Sequence, residues 1–134
     1  MIQGGPPYLF VYGTLMRHSR SPYAKLLKAR AQFLGEASAP GRLYHLGRFP
    51  GAVFDSACRN YVHGEVFQLK APSLLDALDA YEGCRPGDPE PKLFRRAIVE
   101  VWLVRGGWLA VWSYPFAGAV SGRPRIASGR FKAA

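Results

Sequence analysis

A continuous apolar run near the start of the chain predicts a buried strand. Tyr8–Tyr12 contains only aromatic and branched aliphatic residues, and Gly13 ends the run. This pattern is typical of a strand that is covered on both faces. Ser21 and Pro22 then form a favourable helix start, with a capping side chain followed by a proline at the first helical position. Apolar residues follow at helical spacing, so we predict a short helix from Pro22 to about Ala29.

The remainder of the chain carries mostly strand patterns. Five further strands are predicted from apolar runs next to turn-forming residues: Ala31–Ser38, Gly41–Leu46, Tyr61–Leu69, Phe94–Val104 and Leu109–Tyr114. The two glycines of Arg105–Trp108 predict a hairpin turn between the last two. Trp102, Trp108 and Trp112 lie on these strands and are expected in the core. With a possible short strand at Arg125–Ser128, six or seven strands and two helices predict an α+β fold, a mixed sheet curled into a small β-barrel.

The second predicted helix carries a carboxyl group on its apolar side. It starts near Ser73, which has Asp76 at the spacing of a capping box, and Gly83 is a natural C-terminal stop. At about 100° per residue, Glu82 falls among the leucines of the apolar arc. Asp76 and Asp79 fall on the other side. Glu82 is therefore the acid of this helix that we expect to face the core.

Glu82 is a candidate general acid or base. A carboxylate on an apolar face is costly unless it is neutralised, paired or used in chemistry. Desolvation raises its pKa towards about 6–7, where a carboxyl group can exchange protons near neutral pH. The alternative is that Glu82 bends out to water at the last turn of the helix, or that it pairs with Arg85 or Arg96.

The turn after the first strand is a candidate anion site. Val11–Leu15 is a buried strand end followed by a glycine turn, and successive backbone N–H groups in such a turn can form a concave site for a carboxylate. Gly13 permits close approach of a ligand, and Thr14 adds a hydroxyl donor. The alternative is a strand that simply ends at a turn. Tyr114, at the end of another strand, is a further residue that could reach a pocket.

Length and composition predict one domain in the cytoplasm. The chain has 134 residues, of which 49% are hydrophobic, which suffices for one core over residues 1–134. No run of about 18 apolar residues could span a membrane, and Met1–Pro7 lacks the pattern of a secretory signal. Cys58 and Cys84 have no CxxC spacing and are predicted to be reduced thiols.

The charge balance favours anionic partners without identifying one. Lys and Arg outnumber Asp and Glu by 18 to 9, a net charge of +9. Because these residues are spread along the chain without a block of five like charges, we predict a solvated basic surface and not a nucleic-acid-binding arm. His18, His45 and His63 are not spaced as metal ligands, so no metal site is predicted. The sequence does not distinguish a monomer from a homodimer.

Four segments, in order along the chain, resemble the gamma-glutamylcyclotransferase-like family, and in particular its small bacterial and gamma-glutamylamine cyclotransferase branch. The segments are Phe10–Leu15, Gly41–Tyr44 with Gly47–Gly51, Val62–Phe67, and Leu75–Gly83. The last resembles the helix end that carries the family's catalytic glutamate. The chain departs from the family where Phe94-Arg95-Arg96 replaces a Tyr-x-Arg, and its insert Cys84–Pro91 is either a lid or an idle surface loop.

The resemblance implies a cofactor-independent enzyme that cleaves a carbon–nitrogen bond by cyclising transfer. Its substrate would be a gamma-glutamyl amine, amino acid or peptide, and its products 5-oxoproline and a free amine. Glu82 would be the catalytic acid and base. Tyr12, Gly13, Thr14 and Leu15 would bind the substrate, and Gly51 and Tyr114 are added to this predicted set. The alternative function is a non-catalytic barrel that binds an anionic metabolite or nucleic acid through its basic surface.

Overall fold

The computed structural model describes residues 5–17, 19–71 and 73–132. Its elements follow in the order β1 (Tyr8–Val11), α1 (Pro22–Arg30), β2 (Ala31–His45), β3 (Pro50–Phe54), β4 (Tyr61–Leu69), α2 (Ser73–Glu82), β5 (Ala97–Leu103) and β6 (Gly107–Ser113). The predicted α+β class, a small barrel with two short helices, is confirmed. His18 and the first four residues of the segment screened for a secretory signal lie outside the described residues.

Five of the strands close into a barrel. They are ordered β2–β4–β1–β6–β5, and β5 pairs back with β2. The β1–β6 pair is parallel and the other pairs are antiparallel, so the sheet is mixed, as predicted. Strand β3 pairs with the end of β2 outside this closed ring. Closure leaves the five barrel strands without a free edge, which removes sites for non-specific strand pairing.

Strand β2 is continuous over 15 residues, whereas the sequence predicted a break after Ser38. Pro40 does not end the strand, because it lies where the pairing of β2 passes from β4 to β3. Pro40 is opposite Tyr61 of β4, and Gly41 is opposite Phe54 of β3. A proline, which has no N–H to donate, is tolerated where a strand changes partners.

Two predictions for the second half of the chain are wrong. Arg125 forms an isolated bridge with Tyr44, and no seventh strand occurs in the part of the chain that the structure describes. Trp102 and Trp108 are 45% and 57% exposed and not in the core. They lie opposite each other on the β5–β6 hairpin and point away from the barrel, whereas the neighbouring Val101 is fully buried.

Strand β1 is buried on both faces, as its apolar run predicts. Phe10 and Tyr12 point into the barrel, where residues from all five of its strands meet. Leu9 and Val11 point the other way, because successive side chains of a strand alternate between its faces, and pack in a second cluster with the leucines of α2. Leu9, Phe10 and Val11 are at most 3% exposed. The fold therefore places α2 against the outer face of β1.

The predicted N-terminal cap is formed in α1 but not in α2. The Ser21 hydroxyl accepts hydrogen bonds from the backbone N–H groups of Tyr23 and Ala24, at 3.2 and 3.4 Å, so the predicted cap of α1 is confirmed. Ser73 is instead the first helical residue of α2 and not its cap, so the predicted capping box is not formed. Neither described helix is long and apolar enough to cross a membrane. Cys58 and Cys84 are free thiols.

Gly64 on β4 offers a test of how tightly β1 packs in the barrel. A Cβ atom there would overlap the carbonyl oxygen of Val11 and come within 2.9 Å of the Phe10 ring. We expect Gly64→Ala to lower the free energy of unfolding by about 1–3 kcal/mol, because a buried backbone cannot move aside freely. Gly87→Ala is the control, since nothing lies within 4 Å of its added Cβ. Urea denaturation measures both, and equal stabilities would contradict this packing.

Candidate active site

The last turn of α2 holds Glu82 in a defined position. The N–H of Gly83 bonds to the carbonyl of Ala80 at 3.3 Å, and the N–H of Cys84 bonds to the carbonyl of Asp79 at 3.0 Å. These two bonds are the Schellman pattern of a helix C-terminus, and Gly83 has the positive φ of 72° that this pattern requires. The predicted stop is confirmed. Glu82 is therefore the final residue of a capped helix and not part of a frayed end.

Glu82 opens onto a cavity of about 500 Å³. Five parts of the chain surround it: β1 with the turn that follows it, the loop from β2 into β3, the end of α2, the segment before β5, and Tyr114 just after β6. The lining residues are Phe10, Val11, Tyr12, Gly13, Thr14, Leu15, Arg48, Phe49, Pro50, Tyr81, Glu82, Gly83, Pro89, Pro91, Lys92, Leu93, Phe94 and Tyr114. Its size is that of a small-molecule site.

The structure brings together most of the residues predicted for the site. Glu82, Tyr114 and all four residues of the turn Tyr12–Leu15 line the cavity. Gly51 does not. It is buried behind the wall, where an added Cβ would lie 2.6 Å from Leu46 and 2.9 Å from Phe116. Gly51 is buried and allows close packing outside the cavity lining.

The environment of Glu82 raises its pKa to about 8. Burial is the larger cause, because a desolvated carboxyl group resists ionisation. The negative charge of Asp79, one helical turn earlier, adds to the shift. The carboxyl group is therefore held at a proton affinity from which it can both take and release a proton near neutral pH.

The two arginines considered as partners for Glu82 are engaged elsewhere. Arg85 pairs with Asp88 at 3.2 Å, and Arg96 pairs with Asp79 at 3.0 Å. Within the described residues, Glu82 forms no ion pair. The interpretation of Glu82 as one half of a salt bridge is thus wrong for both arginines, and its carboxyl group remains open to the cavity.

Asp79 was predicted to lie on the solvent side of α2, and this is wrong. Its side chain is 14% exposed. It accepts a 2.6 Å hydrogen bond from the Tyr114 hydroxyl as well as pairing with Arg96. The guanidinium of Arg96 in turn lies 4.3 Å from the centroid of the Trp112 ring. The helical wheel could not show this, because the residues that cover Asp79 come from β6 and from the segment before β5.

The Tyr12 hydroxyl connects the turn to two other strands. It donates to the Tyr114 carbonyl at 2.6 Å and accepts from the Ala52 N–H at 3.2 Å. Burial raises the pKa of Tyr12 above its usual range, and the charge of Glu82 adds to this shift. The hydroxyl is therefore a neutral hydrogen-bonding group that anchors the end of β1 to β3 and β6.

Tyr81 belongs to the site although no prediction included it. Its hydroxyl is 2.7 Å from the Thr14 hydroxyl, and its ring stacks on Tyr23 with centroids 4.6 Å apart. Gly13, beside Thr14, packs against Pro50, which an added Cβ would approach to 2.8 Å. The hydrogen bond joins α2 directly to the turn after β1. Tyr81 could have been suspected from the sequence, since it adjoins Glu82 on the apolar arc of α2.

The insert after α2 contributes to the cavity. Pro89 and Pro91 line it, together with Lys92, Leu93 and Phe94 immediately beyond. Phe94, which stands where the resemblance expected a tyrosine, is 8% exposed and packs between Phe49 and Phe116 with ring centroids 5.9 Å from each. The C-terminal end of the insert forms part of the cavity wall, which favours a role at the site over an idle surface loop.

The polar groups around the cavity suit acid–base chemistry on a small molecule. In the described parts of the chain, no group of three or more His, Cys, Asp or Glu side chains is arranged to hold a metal ion. The backbone N–H groups of Gly13, Thr14 and Leu15 have no acceptor among the described residues. Their residues line the same cavity as Glu82, whose carboxyl group has a raised pKa.

The sequence matches the family model described as gamma-glutamyl cyclotransferase, AIG2-like, over residues 9–133, so the chain belongs to that family. This confirms the family resemblance. No match to an individually curated protein was found.

Proteins from three different organisms have solved structures that are similar in fold to this chain. YtfP from Escherichia coli is 30% identical with a TM-score of 0.66, and the match covers 92% of this chain and 95% of that one. An AIG2-like protein from Mus musculus is 22% identical with a TM-score of 0.74, covering 94% and 88%. YkqA from Bacillus subtilis is 24% identical with a TM-score of 0.70, and the match covers 93% of this chain but 39% of YkqA.

The raised pKa of Glu82 makes a prediction about stability. An unfolded chain ionises this carboxyl near pH 4.5 and the folded protein near pH 8, so folding stability falls as the pH rises from 4.5 to 8. We expect Glu82→Gln, which cannot ionise, to be more stable than wild type at pH 8 by on the order of a few kcal/mol. Urea denaturation from pH 4 to pH 9 measures this difference.

At pH 4 the two proteins should have nearly equal stability, because Glu82 is then mostly neutral in both the folded and the unfolded state. A stability difference that does not change with pH would mean that burial does not raise this pKa.

Proposed function

We propose that this protein is a cyclotransferase that releases 5-oxoproline from a gamma-glutamyl amine, amino acid or peptide, with Glu82 as general base and general acid. The observation that supports this most directly is the opening of Glu82 onto the same cavity as the unoccupied N–H groups of the turn after β1. Membership of the gamma-glutamyl cyclotransferase family points to the same reaction class.

The turn would bind the alpha-carboxylate of the gamma-glutamyl group. Backbone N–H groups that point into a concave turn stabilise an anion without a charged side chain. The N–H groups of Gly13, Thr14 and Leu15 are free in the described chain. Tyr12 and Tyr81 would hold the turn rigid through their hydrogen bonds to β3, β6 and Thr14. The alpha-amine is attached to the same carbon atom as this carboxylate, and it would then face Glu82.

Glu82 would move one proton in each direction. The substrate's alpha-amine arrives as an ammonium, and Glu82 takes a proton from it. The free amine attacks the gamma-carbonyl carbon and forms the five-membered ring, while the bond from that carbon to the leaving nitrogen breaks. Glu82 returns that proton to the leaving nitrogen, and the second proton lost by the ring nitrogen passes to the departing amine, which leaves as an ammonium. The reaction needs no added water and no covalent enzyme intermediate, because the nucleophile belongs to the substrate.

Two features of the site would lower the barrier. Holding the substrate folded makes ring closure a positioned intramolecular step, which can supply several kcal/mol. A carboxyl group with a pKa of about 8 is also close in proton affinity to the amine that it must deprotonate. An ordinary exposed glutamate would be too weak a base for the same transfer.

The proposal is tested by 5-oxoproline release. We expect wild type to form 5-oxoproline from at least one gamma-glutamyl amide, and Glu82→Gln to lose activity by about 100-fold or more, since general acid–base catalysis contributes about 100- to 10,000-fold. Chromatography of the product measures both. Folding of the variant is checked by its denaturation curve. A folded wild type inactive on all gamma-glutamyl amines, dipeptides and glutathione would contradict the proposal and favour a non-catalytic binding role.

Asp79 makes a second prediction, because its charge contributes to the raised pKa of Glu82. If Glu82 must be ionised to act as a base, kcat/KM of the wild type rises with pH up to about pH 8. Asp79→Asn removes the negative charge and releases Arg96, and both changes favour ionised Glu82. We expect the acid limb of the pH profile to move to lower pH.

Asp76→Asn is the matched control, an exposed change on the same helix. It should leave the acid limb where it is in wild type. If Asp79→Asn lowers kcat/KM equally at every pH, Asp79 has a structural role and does not tune Glu82.

A further inference from the structure

The cavity has two chemically different walls. One wall is polar and is made by the turn after β1 and the end of α2, which supply backbone N–H groups, two hydroxyls and the Glu82 carboxyl. The facing wall comes from the β2–β3 loop and from the segment before β5. Its residues are mostly apolar, and two cationic side chains accompany them. The proposed gamma-glutamyl chemistry occupies the polar wall and assigns no role to the second.

The apolar wall combines core residues with exposed apolar surface that is left for a ligand to cover. Phe49 and Phe94 pack on each other with centroids 5.9 Å apart, and together they form its base. Pro89 and Pro91 extend it. Leu93 also lines the cavity, yet it is 47% exposed. Exposed apolar groups that are contiguous and concave are typical of sites that bury an apolar part of a ligand.

The two cationic side chains differ in whether they are already paired with a carboxylate. Lys92 is paired with Glu90, and its side chain is 8% exposed, so its stem packs in the wall and its charge is neutralised. Arg48 is exposed on the β2–β3 loop and forms no ion pair within the described residues. A guanidinium at the rim of a cavity can bind a carboxylate in two parallel hydrogen bonds. Arg48 is thus the charge left for an anionic group of the ligand.

We propose that the second wall is the leaving-group subsite and that it selects a large apolar alpha-amino acid, as in a gamma-glutamyl dipeptide with phenylalanine or leucine. This inference rests on the proposed function. The amino acid's side chain lies on Phe49, Leu93 and Phe94, and its carboxylate meets Arg48. A small or strongly polar leaving group leaves the apolar wall uncovered. An amine without a carboxylate leaves Arg48 without a partner.

Three substrates separate the two contacts. Gamma-glutamyl-phenylalanine makes both, gamma-glutamyl-alanine lacks the ring, and gamma-glutamyl-phenethylamine lacks only the carboxylate. We expect kcat/KM for the phenylalanine compound to exceed that for the alanine compound by about 10-fold or more, because apolar contacts discriminate by about 10- to 200-fold per group. We expect it to exceed that for the phenethylamine compound by a smaller factor that shrinks as salt is added.

Two variants assign the contacts to residues. Arg48→Gln should abolish the preference for phenylalanine over phenethylamine and keep the preference over alanine. Leu93→Ser should abolish the preference for phenylalanine over alanine and keep the preference over phenethylamine. Arg59→Gln is the matched control, an exposed arginine outside the cavity, and should change neither ratio. A preference that survives both cavity variants would overturn the assignment.

The outcomes separate this inference from the function on which it rests. Turnover of all three compounds at equal kcat/KM would overturn the subsite and leave the cyclotransferase proposal intact. Turnover of none of the three, with turnover of another gamma-glutamyl compound, would also overturn the subsite alone, and turnover of no compound in the wider panel would overturn the function. In that case, calorimetric binding of the three compounds to Glu82→Gln still tests the wall: tighter binding of the phenylalanine compound supports it, whereas equal or absent binding overturns it.

Discussion

The burial of strand β1 on both faces is the constraint from which the geometry of the cavity follows. Phe10 and Tyr12 fill the barrel, so Leu9 and Val11 must be covered from outside, and α2 supplies that cover. Helix α2 therefore has to lie across β1. The turn after β1 and the last turn of α2 meet at one end of this contact, where the hydrogen bond between Thr14 and Tyr81 joins them. The candidate acid and the candidate anion site are thus brought together by packing.

The electrostatics at this junction depend on which of two neighbouring carboxyl groups is paired with Arg96. Asp79 and Glu82 are one helical turn apart, and both are withdrawn from water. Arg96 and the Tyr114 hydroxyl reach Asp79 and leave Glu82 without an ion partner. The negative charge of Asp79, which is paired with Arg96, adds to the burial that raises the pKa of Glu82. Burial beside a second carboxylate is a common means of giving a carboxyl group acid–base character near neutral pH.

The β-barrel holds the cavity walls in place and supplies no group of the proposed proton transfer. The Tyr12 hydroxyl ties the end of β1 to β3 and β6, and Gly51 lets Leu46 and Phe116 close the space behind the cavity wall. The segment from Cys84 to Phe94 supplies much of the apolar wall but no group of the proposed proton transfer. A loop of this kind can change the leaving group that fits without disturbing the reacting end.

The sequence by itself determined the features that depend on residues close together in the chain. The apolar run of β1, the Ser21 cap, the glycine stop after α2 and the inward direction of Glu82 are all local, because strand alternation and helical spacing decide them. Only the tertiary structure decided which groups from distant segments meet. It made β2 continuous through Pro40 by giving that strand a second partner, and it left Trp102 and Trp108 exposed on a hairpin with no layer above it. It also buried Asp79 under Arg96 and Tyr114, 17 and 35 positions away. Periodicity reports which side of its own element a residue faces, whereas its proton affinity depends on the charges and apolar surface that other elements bring to it.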